Sequence, residues 1–223
     1  MPTKNENIYN PVFQEFAEIT RSLGNSYRLI LLEHISQGER SVERLAELTG
    51  ISVANASQHL QHLKRAGFIQ GRRDGKNVLY RLGDGPVQNL LIAIRQYVEF
   101  RHNDANNFIS KTFGLRENFE SMSRKELLHR IDKADVILLD VRPYEEFRYG
   151  HISGAINIPF DQLGERLSEL SKALDIVAYC RGPYCILSVN AIKMLRLHGF
   201  KASCLEDGFP EWKAAGLDIC EDM

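Results

Sequence analysis

The stretch Asp175-Ile176-Val177-Ala178-Tyr179-Cys180-Arg181-Gly182-Pro183-Tyr184-Cys185-Ile186 decides the reading of the second half of the chain. Asp175 to Tyr179 is a short, nearly continuous apolar run, as suits a strand covered on both faces, and Ile186 to His198 has the periodicity of a helix. Cys180 therefore sits in a loop between the end of a strand and the start of a helix. There the unpaired backbone N–H groups and the helix dipole stabilise a thiolate over a thiol, which is what a nucleophile needs. Arg181 adds a positive charge, and Gly182 lets the backbone close around the sulfur. The Cys-x4-Cys spacing of Cys180 and Cys185 is not a usual zinc spacing and has no second ligand pair, so no metal is expected.

Moving outward, Val136 to Asp140 is a second apolar run, and helices are expected over Phe160 to Leu170 and Ile186 to His198. Strand and helix alternate from about Phe119, which predicts an α/β domain with a parallel sheet over residues 119–223. Periodicity fades over 111–118, a linker. Residues 1–110 read differently. Val12, Phe13, Phe16, Ile19 and Leu23 recur at helical spacing, and Arg28 to Ile35 is apolar nearly all round. Ser41 opens a short helix that Gly50 stops, and Ser52 caps another that runs to Ala66 before Gly67. Phe68 to Arg72 and Asn77 to Leu82 are two strands around the turn Asp74-Gly75. Pro86 precedes a long helix with the stripe Val87, Leu90, Leu91, Ile94 and Val98. Two helices joined by a tight turn and followed by a hairpin make an α+β winged helix-turn-helix.

On the helix after Ser52, the expected core stripe is Val53, Ala56, Leu60 and Leu63. Asn55, Gln58, His62 and Arg65 then face away, with Ser57, His59 and Gln61 at the edges. Such a polar row can hydrogen-bond base edges in a major groove, while Arg72, Arg73 and Lys76 on the hairpin can reach phosphates. The alternative is a small interaction domain with a polar surface. Charge favours the first reading: Lys64 to Arg81 holds six basic residues and one acid, although the whole chain has 28 Lys and Arg against 29 Asp and Glu. Residues 1–110 carry 13 basic and 11 acidic residues, and residues 111–223 carry 15 and 18.

At 223 residues and 43% hydrophobic the composition is that of a globular chain with room for two domains of roughly 100 residues. Its longest apolar runs fall far short of the roughly 18 residues of a membrane span. The four cysteines, Cys180, Cys185, Cys204 and Cys220, all fall in the last quarter, too few and too lopsided for a disulfide framework. A cytoplasmic protein with no membrane partner and no cofactor is expected.

Residues 10–105 resemble the winged helix-turn-helix of the ArsR family of bacterial repressors. The resemblance is carried by Leu23 to Leu32, Leu45-Ala46-Glu47-Leu48-Thr49-Gly50, Ser52 to Leu60, Leu63-Lys64-Arg65-Ala66-Gly67 and the wing Arg72-Arg73-Asp74-Gly75-Lys76. It implies a homodimer, formed through Val12 to Leu23 and Val87 to about Ile109, on a roughly palindromic double-stranded DNA operator. Where many members carry a metal-sensing Cys-x-Cys, this chain reads Glu43-Arg44-Leu45-Ala46-Glu47-Leu48, and His102 stands alone on the last helix. The signal is expected to enter elsewhere.

Phe119 to Ile219 resembles the rhodanese family. Leu139-Asp140-Val141-Arg142-Pro143-Tyr144-Glu145-Glu146-Phe147 with Gly150 to Pro159 matches its first signature, and Leu205 to Trp212 with Ala215-Gly216-Leu217 its last. The resemblance implies a persulfide on Cys180, with Arg181, Gly182 and Cys185 in the active loop and Asp140, Arg142, Glu146 and His151 as loop support. Thiosulfate-using members commonly have a cation at the sixth loop position, where this chain has Cys185, so thiosulfate is in doubt as donor. A second thiol suggests instead that a Cys180 persulfide is resolved to a Cys180–Cys185 bridge. Alternatively, Cys185 packs into the helix face as a small hydrophobe. Three functions follow: a repressor whose rhodanese domain senses sulfane sulfur or a related oxidant, a working sulfurtransferase with DNA binding independent of it, or a rhodanese fold used only as a thiol switch without turnover.

Overall fold

The structure, a computed structural model, describes residues 11–102, 121–182 and 185–222. The expected linker 111–118, the far end of the last helix toward Ile109, and Pro183 and Tyr184 of the active loop lie outside those residues. The chain divides into two compact units, Met1–Val87 and Gln88–Met223.

In the first unit, α1 (Pro11–Leu23) and α2 (Ser26–Ser36) precede a two-residue strand β1 (Arg40–Ser41), followed by α3 (Val42–Thr49) and α4 (Val53–Arg65). Local chemistry sets the helix ends. Ser41 accepts a hydrogen bond from Arg44 N and Ser52 from Asn55 N, each at 3.3 Å, so each hydroxyl satisfies an N–H that has no partner within its helix. Gly50 closes α3 at φ 68°, left-handed backbone that favours glycine. The hairpin β2 (Ile69–Asp74) and β3 (Asn77–Leu82) pairs antiparallel through Asp74↔Asn77, and β1 adds to β3, giving the order β1-β3-β2. Leu31, Leu32, Leu45, Leu60 and Leu63 are fully buried in this unit. The packed stripe of α4 begins at Ala56. Val53, expected in it, is 47% exposed, because it stands in the first turn directly after the cap.

Helix α5 (Val87–His102) starts at the boundary between the units. The second unit carries a five-stranded parallel sheet of β4 (Ser121–Met122), β5 (Val136–Asp140), β7 (Ile156–Asn157), β8 (Asp175–Tyr179) and β9 (Ala202–Leu205), in the order β4-β9-β8-β5-β7. The β8 run is buried on both faces, which accounts for its unbroken apolar sequence. One face packs Leu163, Ala191, Ile192 and Leu195 from α8 (Phe160–Leu163) and α9 (Ile186–Leu197). The other packs Leu127, Phe209 and Trp212 from α6 (Arg124–Asp132) and α10 (Phe209–Ala214). A short helix α7 (Tyr144–Tyr149) follows β5, and β6 (His151–Ile152) pairs antiparallel with β10 (Ile219–Cys220). The helix expected over Phe160 to Leu170 is instead a single α-turn ending at Leu163 and a 3-10 turn over Leu167–Glu169. Gly164 is a poor helix former at the break. Beyond it, the guanidinium of Arg166 is held bidentately by Glu169 at 2.7 and 2.8 Å.

Candidate functional site

Two surfaces hold the residues singled out from the sequence, one in each unit. On α4, Asn55, Gln58 and His62 are exposed, whereas Ser57 and His59 are half-buried. His59 is held against its own unit: its ring stacks on Tyr27 of α2 with centroids 6.0 Å apart. Burial, with the positive charge of Arg28 and the neighbouring His62, lowers its pKa from the ordinary imidazole value. Among the basic residues of the hairpin, Arg73 and Lys76 are exposed. Arg72 is also exposed, but its guanidinium already engages Glu39, with Nε donating at 2.7 Å and Nη2 at 2.6 Å. A phosphate reached by Arg72 therefore competes with a carboxylate, which nothing in the local sequence of the hairpin revealed.

In the second unit, Cys180 follows directly on β8, with 1% of its surface exposed. Cys185 is the residue preceding the first turn of α9. The two are joined by a disulfide, with their Cα atoms 6.2 Å apart. Of the two readings of Cys185, one a bridging partner and the other a packed hydrophobe, the geometry contains both elements, because Cys185 also rests against the buried cluster of Ala191 and Ile192. The loop is tied by backbone bonds: Cys185 N donates to Gly182 O at 3.1 Å and Phe209 N to Cys180 O at 3.1 Å. Cys204 lies buried in β9, where loss of hydration raises its thiol pKa to about 11, so it stays protonated near neutral pH.

The four supporting residues form two ion pairs and a ring stack. Arg142 is fully buried and donates to both oxygens of Asp140, through Nη2 at 2.6 Å and Nε at 3.0 Å, and to Gly150 O at 2.8 Å. Its guanidinium carbon stands 4.4 Å from the centroid of the Phe209 ring. Burial opposes that charge, yet the Asp140 carboxylate outweighs it and raises the pKa of Arg142 further. Glu146, also buried, accepts from Arg181 at 2.9 Å (Nε) and 2.7 Å (Nη2). The positive charge expected to act on the thiol is thus spent on a carboxylate 35 residues away in sequence. His151 is buried, with Nδ1 3.0 Å from Phe147 O and its ring stacked 3.6 Å from that of Phe147. Through these bonds they hold the turns around the loop.

Sequence reasoning passed over three further parts of this site. Asn157 donates to the carbonyls of Asp140 and Arg142 at 3.0 and 2.9 Å, tying β7 to the turn after β5. Tyr179 puts its hydroxyl on Ile152 N at 3.1 Å, and burial raises its pKa well above the ordinary phenol value. Glu211 caps α10 by accepting from Gly208 N at 3.0 Å. All three lie in the quoted stretches or beside them; the partners of Asn157 and Tyr179 are 15 to 27 residues away in sequence, whereas Glu211 caps its own helix three residues on.

The Rhodanese-like domain family matches residues 123–215, and the Helix-turn-helix domain family matches residues 23–72. The chain is 39% identical over 210 residues to the HTH-type transcriptional regulator Rv0324 of Mycobacterium tuberculosis, a match covering 94% of this chain and 92% of that protein. Over 79 residues, 35% of this chain and 63% of the relative, it is 39% identical to a probable mercury resistance operon repressor of Streptomyces lividans. Among solved structures, the homodimeric winged helix-turn-helix DNA-binding domain of Mb0332 from Mycobacterium bovis is 36% identical, covering 41% of this chain and 84% of that one with a TM-score of 0.38. A rhodanese-related protein from Thermoplasma volcanium is 25% identical over 46% of this chain and 98% of that one, with a TM-score of 0.42. With a relative 39% identical along nearly its whole length and with both family matches on this chain, it belongs to the HTH-type transcriptional regulators and joins an ArsR-type winged helix to a C-terminal rhodanese-like domain.

Proposed function

We propose that this regulator is a homodimeric repressor whose rhodanese-like domain receives sulfane sulfur at Cys180 and converts it into a Cys180–Cys185 bridge that changes operator affinity. The observation that carries the reading is the disulfide itself, because it puts the second thiol within bonding reach of the first. The chemistry balances as two displacements. The Cys180 thiolate attacks the terminal sulfur of a hydropersulfide or polysulfide donor, forming Cys180–S–SH and releasing the donor thiolate. The Cys185 thiolate then attacks Cys180 Sγ, forming the disulfide and expelling hydrosulfide. Two thiols lose two electrons, and the donor's sulfane sulfur gains them. A peroxide in place of the donor gives the same bridge through a sulfenic acid, with water as the leaving group.

In this reading residues 1–110 bind DNA and dimerise, 111–118 link, and 119–223 sense. Asn55, Ser57, Gln58, His59 and His62 face bases, and Arg72, Arg73 and Lys76 face phosphates. Exposed apolar side chains support the dimer: Val12, Phe13 and Phe16 on α1 are 52%, 66% and 53% exposed, and Tyr97 and Phe100 on α5 63% and 75%. Aromatic side chains left in water on two helices are what a self-complementary interface covers.

The test compares operator affinity of reduced and polysulfide-treated full-length protein in the wild type, Cys180→Ser and Cys185→Ser. The expected result is a change of about 5-fold or more in the wild type, absent in both variants. Equal wild-type affinities overturn the sensor. Steady turnover of a sulfur donor to an acceptor under those conditions makes the domain a sulfurtransferase instead.

A further inference from the structure

Gly182, in the loop that carries the bridge, meets backbone on one side and a long side chain on the other. A Cβ built on Gly208 would stand 2.3 Å from Gly182 N and 2.5 Å from Arg181 C, so two glycine backbones meet there with no side chain between them. On its other side Gly182 meets Arg95 of α5. A Cβ on Gly182 would lie 3.3 Å from Arg95 Nη1 and 3.7 Å from Glu211 Oε2. The guanidinium of Arg95 is ion-paired to Glu211, with side-chain exposures of 16% and 6%. Glu211 also accepts from Gly208 N at 3.0 Å. One buried carboxylate therefore holds both the wall behind the loop and the arginine in front of it, and all of these residues lie in one compact unit.

We infer that Arg95 is the positioning residue that distinguishes the bridged loop from the open one and so links the state of the cysteines to α5. The inference rests on the reading that the Cys180–Cys185 bridge is the signal. When two molecules of a small thiol such as glutathione reduce the bridge, they leave as one disulfide, and Cys180 and Cys185 each gain a proton and an electron. The two sulfurs then separate from bonding to van der Waals distance. Cys185 N is hydrogen-bonded to Gly182 O, so that separation is transmitted to Gly182. Contact with Gly208 blocks displacement toward α10. The side that yields is the arginine, whose long side chain has the rotamer freedom that packed backbone lacks. Helix α5 begins at Val87, the last residue of the first unit, so a residue that responds to the loop stands on the element leading directly to the DNA-binding unit.

A contact that differs between two states must shift the equilibrium between them. The experiment measures the thiol–disulfide equilibrium of Cys180 and Cys185 against glutathione in full-length wild type, Arg95→Met and Arg95→Lys, with operator affinity measured in both redox states of each. In Arg95→Met the equilibrium constant should shift by about 5-fold or more, and the ratio of operator affinities between the two states should fall to within about 2-fold. Arg95→Lys, which keeps the charge but not the fork, should shift less. An Arg95→Met constant equal to the wild type overturns the role of Arg95, whatever the operator does. If the constant shifts while wild-type operator affinity is the same in both states, the contact stands and the sensor reading falls.

Discussion

The polar face of α4 and the loop after β8 hold the side chains proposed to read DNA and to take up sulfur, yet they are built in opposite ways. On α4, Asn55, Gln58 and His62 are exposed, and the helix is fixed from behind by Ala56, Leu60 and Leu63. Around Cys180, each of Asp140, Arg142, Glu146 and His151 is buried and satisfied by a named partner. Under the proposed function, a surface that reads another molecule keeps its donors and acceptors exposed to it. Under the same proposal, a site that presents one reactive atom spends its polar groups on holding its own backbone, because unpaired charge in an interior is costly. Substitutions should therefore act on binding in the first region and on folding in the second.

The largest effect is expected from Arg142→Ala, which leaves the Asp140 carboxylate buried without its main partner. A cost of about 3–5 kcal/mol is expected, confined to the unfolding transition of the second unit, with that of the winged helix unchanged in chemical denaturation. If both transitions move together, the two regions are not separate cooperative units.

Next in size are Arg73→Ala and Lys76→Ala on the wing. Each should weaken binding to all duplex sequences alike and lower the salt slope of the association constant by about one, with little change in melting temperature. Arg72→Ala should change the slope less, since Glu39 already competes for that guanidinium. A sequence-dependent loss in any of the three would place it on bases rather than phosphates.

Ser52→Ala tests the claim that α4 is held from its end as well as from behind. Removal of the hydroxyl that accepts from Asn55 N should cost about 1 kcal/mol in the first unit alone, read from its own denaturation midpoint.

The smallest effect concerns His59. Its folded pKa lies below the unfolded value of about 6.5, since burial and the nearby Arg28 and His62 disfavour the charged ring. Both states are neutral well above that value, so nothing is lost there. As pH falls from about 6.5 through the folded pKa, the unfolded chain binds the proton first and stability declines. A ring titration by NMR should give a midpoint below that of an exposed histidine, and Tyr27→Ala should raise it. A midpoint unmoved by Tyr27→Ala would show that the stack contributes nothing to the burial.

What the sequence by itself determined is what short-range chemistry controls. The caps at Ser41, Gly50 and Ser52, the turn at Asp74-Gly75 and the strand–cysteine–helix order at Cys180 were all legible, because each depends on residues within a few positions of one another. The same local signals overextended the helix at Phe160 and put Val53 in the core, since periodicity does not say where a neighbour ends. The tertiary structure alone decided which partner the long-range charges take. Arg181 goes to Glu146, Arg72 to Glu39 and Arg95 to Glu211, over separations of 35, 33 and 116 residues. A guanidinium has several equivalent carboxylates to choose from in a chain with 29 acids. Only the folded backbone brings one of them within hydrogen-bond reach, and no spacing in the sequence encodes that distance.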